Sequence, residues 1–170
     1  MNSSYMKEGR FRFDFSSAIS KYKPDDCTLN GLGGVDFVVE LEDKFLFIEL
    51  KDIENNKVPR EQKKEWIERL KVRKENLFLM DLGVKFKDTL IRRWAKEENF
   101  DKPIWYLIII EFKEMDAAQK IKLSEDLSGK LPTCIKAKFG FKKEIKIKQR
   151  MILSIEDWIE KFPQFQVTEI

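Results

Sequence analysis

The stretch Val35-Asp36-Phe37-Val38-Val39-Glu40-Leu41-Glu42-Asp43-Lys44-Phe45-Leu46-Phe47-Ile48-Glu49-Leu50-Lys51 decides the reading of this chain. Val35, Phe37, Val39 and Leu41 alternate with Asp36, Val38, Glu40 and Glu42. Beyond Lys44, Leu46, Ile48 and Leu50 alternate with Phe45, Phe47, Glu49 and Lys51. Two period-2 runs about a short polar point predict a β-hairpin. With Glu42 and Asp43 as a two-residue turn, cross-strand partners sum to 85, which sets Asp36 opposite Glu49. Directly opposed residues share a face, and Lys51, two residues beyond Glu49, joins it. The other face carries Val35, Phe37, Val39, Leu41, Leu46, Ile48 and Leu50, an apolar surface for a core.

Two carboxylates opposed across a ladder repel, by roughly 0.2–1 kcal/mol when exposed and by more when dehydrated. A hard divalent cation resolves that conflict, since Mg²⁺ takes one or two carboxylates together with water and phosphate oxygens. Lys51 beside them can stabilise a phosphate oxyanion or help orient an attacking water. The competing reading is an ordinary solvated hairpin face. The metal reading depends on the register, because a one-residue slip moves every side chain to the other face.

These residues resemble the PD-(D/E)xK nuclease superfamily. Asp36 is followed, twelve intervening residues later and on the next strand, by Glu49-Leu50-Lys51, after the glycine-rich entry Gly33-Gly34-Val35-Asp36. The resemblance implies an α/β domain with a restriction-endonuclease-like core, a mixed central β-sheet flanked by helices. It further implies Mg²⁺ or Mn²⁺ held by Asp36, Glu49 and the main-chain carbonyl of Leu50, with Lys51 assisting catalysis. Val35 stands where the family has proline. Gln62 and Trp66 are spaced like the glutamine–tyrosine motif of the RecB-like branch, with tryptophan for tyrosine, so Gln62 is an accessory candidate. Many members add an acid from the N-terminal region, where Glu8 and Asp14 are the acids at hand.

Composition narrows the chemistry. A chain of 170 residues, 42% hydrophobic and 37% charged, suits one domain spanning 1–170 rather than a disordered segment. It has no histidine, which excludes His-based triads and histidine metal ligands. Cys27 and Cys134 are too few for a disulfide framework and read as packing residues. No apolar run approaches the ~18 residues of a membrane span, so a cytoplasmic location without membrane contact is expected. The net charge is only +3, yet residues 136–150 hold seven basic residues against Glu144 alone. Lys142, Lys143, Lys146 and Lys148 are accordingly candidates for phosphate contact, with a lysine-protected edge strand as the alternative.

Elsewhere, Phe11, Phe13 and Phe15 alternate like a strand, while Ala18, Ile19 and Tyr22 suit a short helix, a pattern that leaves the segment open. Pro59 and Glu61 open one helix, carried by Trp66, Ile67 and Leu70. A second helix is expected over about Lys85 to Glu97, with Leu90, Ile91, Trp94 and Ala95 as its apolar face. Ile104 to Phe112 reads as a buried strand, Asp116 to Leu127 as a helix and Glu144 to Leu153 as a strand. Ser154 and Asp157 resemble a capping box at a last helix. The expected function is Mg²⁺-dependent hydrolysis of DNA phosphodiesters by an endonuclease acting in restriction, repair or mobile-element defence. The expected partner is nucleic acid, DNA before RNA, with a homodimer or a nuclease-complex subunit as the assembly. The alternative is an inactive nuclease-fold protein that binds nucleic acid or protein.

Overall fold

The computed structural model of the chain describes residues 4–24, 31–71, 77–131, 134–135 and 144–170. Its centre is the predicted hairpin, β4 (Phe37–Glu40) and β5 (Phe45–Asp52), closed by Leu41 N–H donating to Lys44 O at 2.9 Å. Phe37 pairs with Ile48 and Val38 with Phe47, the register read from the sequence. A third strand, β3 (Ser20–Tyr22), runs antiparallel to β4, so the segment that suited a short helix ends as a strand. On the other side β6 (Ile104–Glu111) lies parallel to β5, and β8 (Ile145–Leu153) lies parallel to β6. The result is a mixed five-stranded sheet, extended beyond β8 by the two-residue β7 (Cys134–Ile135).

Both faces of the sheet are covered, which explains the near-continuous apolar runs of β5 and β6. One face packs against α1 (Arg60–Lys71), α2 (Leu77–Ala95) and α3 (Ala117–Ser128). There Val38, Phe45 and Phe47 meet Phe78, Leu82 and Phe86, and Phe86 lies 5.5 Å from Phe47 and 5.0 Å from Tyr106 between ring centres. The other face, carrying Phe37, Val39, Leu46, Ile48 and Leu50, is covered by α4 (Ile155–Lys161) and a small sheet. That sheet pairs β2 (Phe11–Asp14) with both β1 (Tyr5–Glu8) and β9 (Val167–Glu169). Trp158, Phe162 and Phe165 close over Phe13 and Phe15 in a cluster of edge-on and stacked rings.

Two expectations are corrected here. Val35 does not join the Phe37 face; it lies just before β4, donates its N–H to Thr89 Oγ1 at 3.0 Å and packs on the helical side. The second helix begins at Leu77, and its buried stripe is Phe78, Leu82, Phe86 and Leu90, whereas Ile91 and Trp94 are exposed. The capping box of α4 forms as read, with Asp157 N–H donating to Ser154 Oγ and Ser154 N–H donating to Asp157 Oδ2. Cys27 and the side chain of Cys134 lie outside the described residues. Among the described residues, no helix is long and apolar enough to cross a membrane.

Candidate active site

The hairpin register carries Asp36, one residue ahead of β4, opposite Glu49. At this point the ladder has run out of backbone partners from β4. The Asp36 side chain takes over: its Oδ2 accepts the Leu50 N–H at 2.6 Å. That bond fixes one carboxyl oxygen against the strand and leaves Oδ1 facing α2, where Lys85 Nζ stands 3.9 Å away.

Glu49 is fully buried in the middle of β5. Its Oε1 receives two ammonium groups, Lys51 Nζ at 2.7 Å and Lys85 Nζ at 2.7 Å. Its Oε2 is also buried and has no hydrogen-bond partner among the described residues. A buried charged oxygen without a donor carries the full cost of its lost hydration, on the order of several kcal/mol for an ion. Lys51 extends past Glu49 towards α1, with its ammonium 6.0 Å from the centre of the Trp66 ring. The four charged groups therefore form one cluster, two carboxylates beneath two lysines, and the lysines are its partly exposed rim.

The electrostatics follow the burial. Asp36 is pushed up to about 7, first by desolvation and then by the charge of Glu49, against the opposing pull of Lys85 and the Leu50 amide. Glu8, at the end of β1, adds a smaller push, although its own carboxylate is paired with Lys23 at 2.7 Å. The Tyr106 hydroxyl, buried beneath the site and donating to Leu82 O, is pushed up by desolvation and then by Glu49 and Asp36. Both carboxylates thus act on the same small volume. Asp14 is elsewhere, accepting the Ser16 N–H in a local turn.

The structure brings together Asp36, Glu49, Leu50 and Lys51. It adds Lys85, which the sequence reading missed. The available signal was a lysine in the helical register of Leu82 and Thr89, hidden because the helix was expected to begin only there. Gln62 stays apart, exposed on α1 one turn before Trp66 and without a hydrogen bond to the carboxylates. Lys142 and Lys143 lie outside the described residues. Lys146 and Lys148 are exposed on β8; Ile147 between them is buried on the helical side, Lys146 alternates away from it, and Lys148 sits at a bulge where the pairing with β6 skips one residue. Ile147 pairs with the first residue of β6, whereas Lys51 pairs with Ile110 near its end, so the basic stripe sits at the opposite end of the sheet. Among the described residues, no three acidic, cysteine or histidine side chains converge as a metal cluster; the carboxylates come as a pair. Comparison of the chain with protein-family models, with curated proteins and with solved structures finds no match.

Proposed function

We propose that this chain is a metal-dependent nuclease with a restriction-endonuclease-like core, hydrolysing DNA phosphodiesters at the Asp36–Glu49–Lys51 cluster. The observation that carries the reading is Glu49: a fully buried carboxylate with one oxygen lacking a donor among the described residues, beside Asp36, whose proton affinity is raised by burial and then by the charge of Glu49. A fold selected for stability alone gains nothing from that pairing. Mg²⁺ or Mn²⁺ fits the donor set, which is all oxygen and small in number. Asp36 and Glu49 would hold it. Leu50 O would join them, because the N–H and C=O of one strand residue project from the same edge, and the Leu50 N–H already points at Asp36. A divalent cation bound there supplies Lewis acidity towards a phosphoryl oxygen.

The protein's own contribution is placement. The Asp36–Leu50 hydrogen bond fixes the spacing of the two strands at the site, so the carboxylates keep their separation while substrate arrives. Lys51 is held between Glu49 and the Trp66 ring, which presents its ammonium at the partly open rim, where a phosphate oxygen gathers charge. The buried hairpin behind them keeps the groups from relaxing towards water.

The test is incubation of supercoiled and single-stranded DNA with the protein in Mn²⁺ or in EDTA, beside Glu49→Gln and Lys51→Ala. Wild type is expected to cleave only with Mn²⁺, and each variant to lose about 10²–10³-fold in rate while remaining folded. Cleavage at the wild-type rate by either variant sinks the assignment. A second reading, a nuclease-fold protein that binds without cutting, is favoured by one feature. Lys51 and Lys85 already pair with the carboxylates, so the cluster has its counter-charge without a metal. Such a protein would show no specific Mn²⁺ site in calorimetry.

A further inference from the structure

We propose that Lys85 is the internal counter-ion of this site: its ammonium holds the place of a divalent cation between Asp36 and Glu49, and binding of the metal displaces it. The inference rests on the metal reading above and adds a regulatory step to it.

The geometry separates the two lysines. Lys51 sits on the same strand as Glu49 and pairs with Oε1 alone. Lys85 arrives from α2, across the layer, and among the described residues is the one cation that reaches both carboxylates, at 2.7 Å from Glu49 Oε1 and 3.9 Å from Asp36 Oδ1. Glu49 already has Lys51, so pairing Glu49 does not by itself require a second ammonium there. The ionised pair does: with both carboxylates charged, one lysine leaves a net buried negative charge, which is strongly destabilising. Lys85 supplies the missing positive charge at the point where the two carboxylates face each other.

Its mounting lets the charge leave without disturbing the fold. The neighbouring Phe86 is fully buried between Phe47 and Tyr106, and Thr89 Oγ1 donates to Lys85 O at 2.8 Å, so the backbone of Lys85 is fixed. The side chain is different. It is partly exposed, and its four-carbon stem can carry a strongly hydrated ammonium out to solvent. Asp36 and Glu49, holding a cation of charge +2, would no longer need that ammonium, which the added charge would repel. Released, the ammonium stands at the rim beside Lys51, where a backbone phosphate of the substrate is its natural partner.

Calorimetric titration with Mn²⁺, in the absence of nucleic acid, tests this on wild type, Lys85→Met, Lys85→Gln and Glu49→Gln. Thermal unfolding in EDTA accompanies it. Removing the competing charge is expected to tighten Mn²⁺ binding about tenfold or more in Lys85→Met while lowering the melting temperature of the metal-free protein. Lys85→Gln keeps a hydrogen-bond donor for Glu49 without the charge, and it carries the same expectation should Lys85→Met fail to fold. Tight binding by the Lys85 variants with none in wild type also supports displacement. Affinity in both Lys85 variants equal to or weaker than wild type, with Glu49→Gln unable to bind, overturns the counter-ion role and leaves the metal site standing. Absence of Mn²⁺ binding in wild type and Lys85 variants alike overturns the metal reading and the inference together.

Discussion

Asp36 carries its negative charge at the expense of the fold. Its folded value of about 7 lies above the ordinary 3.8, so the native state binds this proton more tightly than the unfolded chain does. For an acid raised in this way, stability is full below the unfolded value and falls as pH rises through the folded one, from about 4 to about 7. Each tenfold change in proton affinity is worth about 1.4 kcal/mol, which puts the upper bound of the penalty on the order of 4 kcal/mol. Metal-free protein is therefore expected to lose stability in urea between about pH 4 and pH 7. Asp36→Asn, whose amide oxygen can still accept the Leu50 N–H, should flatten that slope and be the more stable protein in EDTA at pH 8. Glu111 is also raised, chiefly by burial, and it slopes the same way in both proteins, so the difference between them isolates Asp36. Saturating Mn²⁺ should stabilise wild type and leave Asp36→Asn nearly unchanged. An identical pH slope in the two proteins would mean that Asp36 ionises without strain.

Among the elements, α2 separates what side chains look like in sequence from what they do. Phe86 is fully buried, and Phe86→Ala is expected to cost about 3–5 kcal/mol in unfolding free energy. Trp94 is 68% exposed on the same helix, and Trp94→Ala should stay within about 0.5 kcal/mol of wild type. Comparable losses from the two would place the helix's buried face elsewhere. The sequence suggested the reverse emphasis, because Leu90, Ile91, Trp94 and Ala95 group at helical spacing, whereas Phe78 sits inside the unbroken apolar run Leu77-Phe78-Leu79-Met80, which shows no helical face, and Leu82 and Phe86 follow it singly. The β4–β5 hairpin was legible down to its register, since its turn and its alternation agree and a slip would bury Glu49 among the Phe37 set. Asp36, Glu49 and Lys51 became legible with it. The strands β1, β3, β7 and β9, of two to four residues each, were not, being too short to show a period. Lys85 was hidden for another reason. Its contact with Glu49 spans 36 positions, a relation that local spacing does not encode.

On the scale of the whole molecule, the basic stripe and the acidic pair lie at opposite ends of the sheet, which makes their contributions separable. Lys146 is exposed and only loosely paired with Glu144 at 3.8 Å, and Lys148 is exposed as well. If they meet phosphates, Lys146→Gln with Lys148→Gln should lower the log–log salt slope of duplex binding by about 1.8 and leave cleavage at saturating DNA intact. An unchanged slope returns these lysines to an ordinary solvated strand face; the edge reading of the sequence does not hold at Lys146, where β7 already pairs with β8. The small sheet on the other side has a different consequence, one of timing. Phe11 to Phe13 pair with residues 167–169, and Arg10 joins Asp52 of β5 to Glu169 of β9. Contacts of such sequence separation close the largest loops in the molecule and form slowly. During synthesis, the face of Phe37, Val39, Leu46 and Ile48 emerges long before Trp158 and Phe165 exist to cover it. A nascent chain is thus expected to expose these apolar residues until Trp158 and Phe165 have been added, the interval in which aggregation is the hazard. A variant ending at residue 153 should retain α2 by circular dichroism yet bind a hydrophobic dye strongly. A dye-silent truncated chain would show that β1 and β2 alone suffice as the lid.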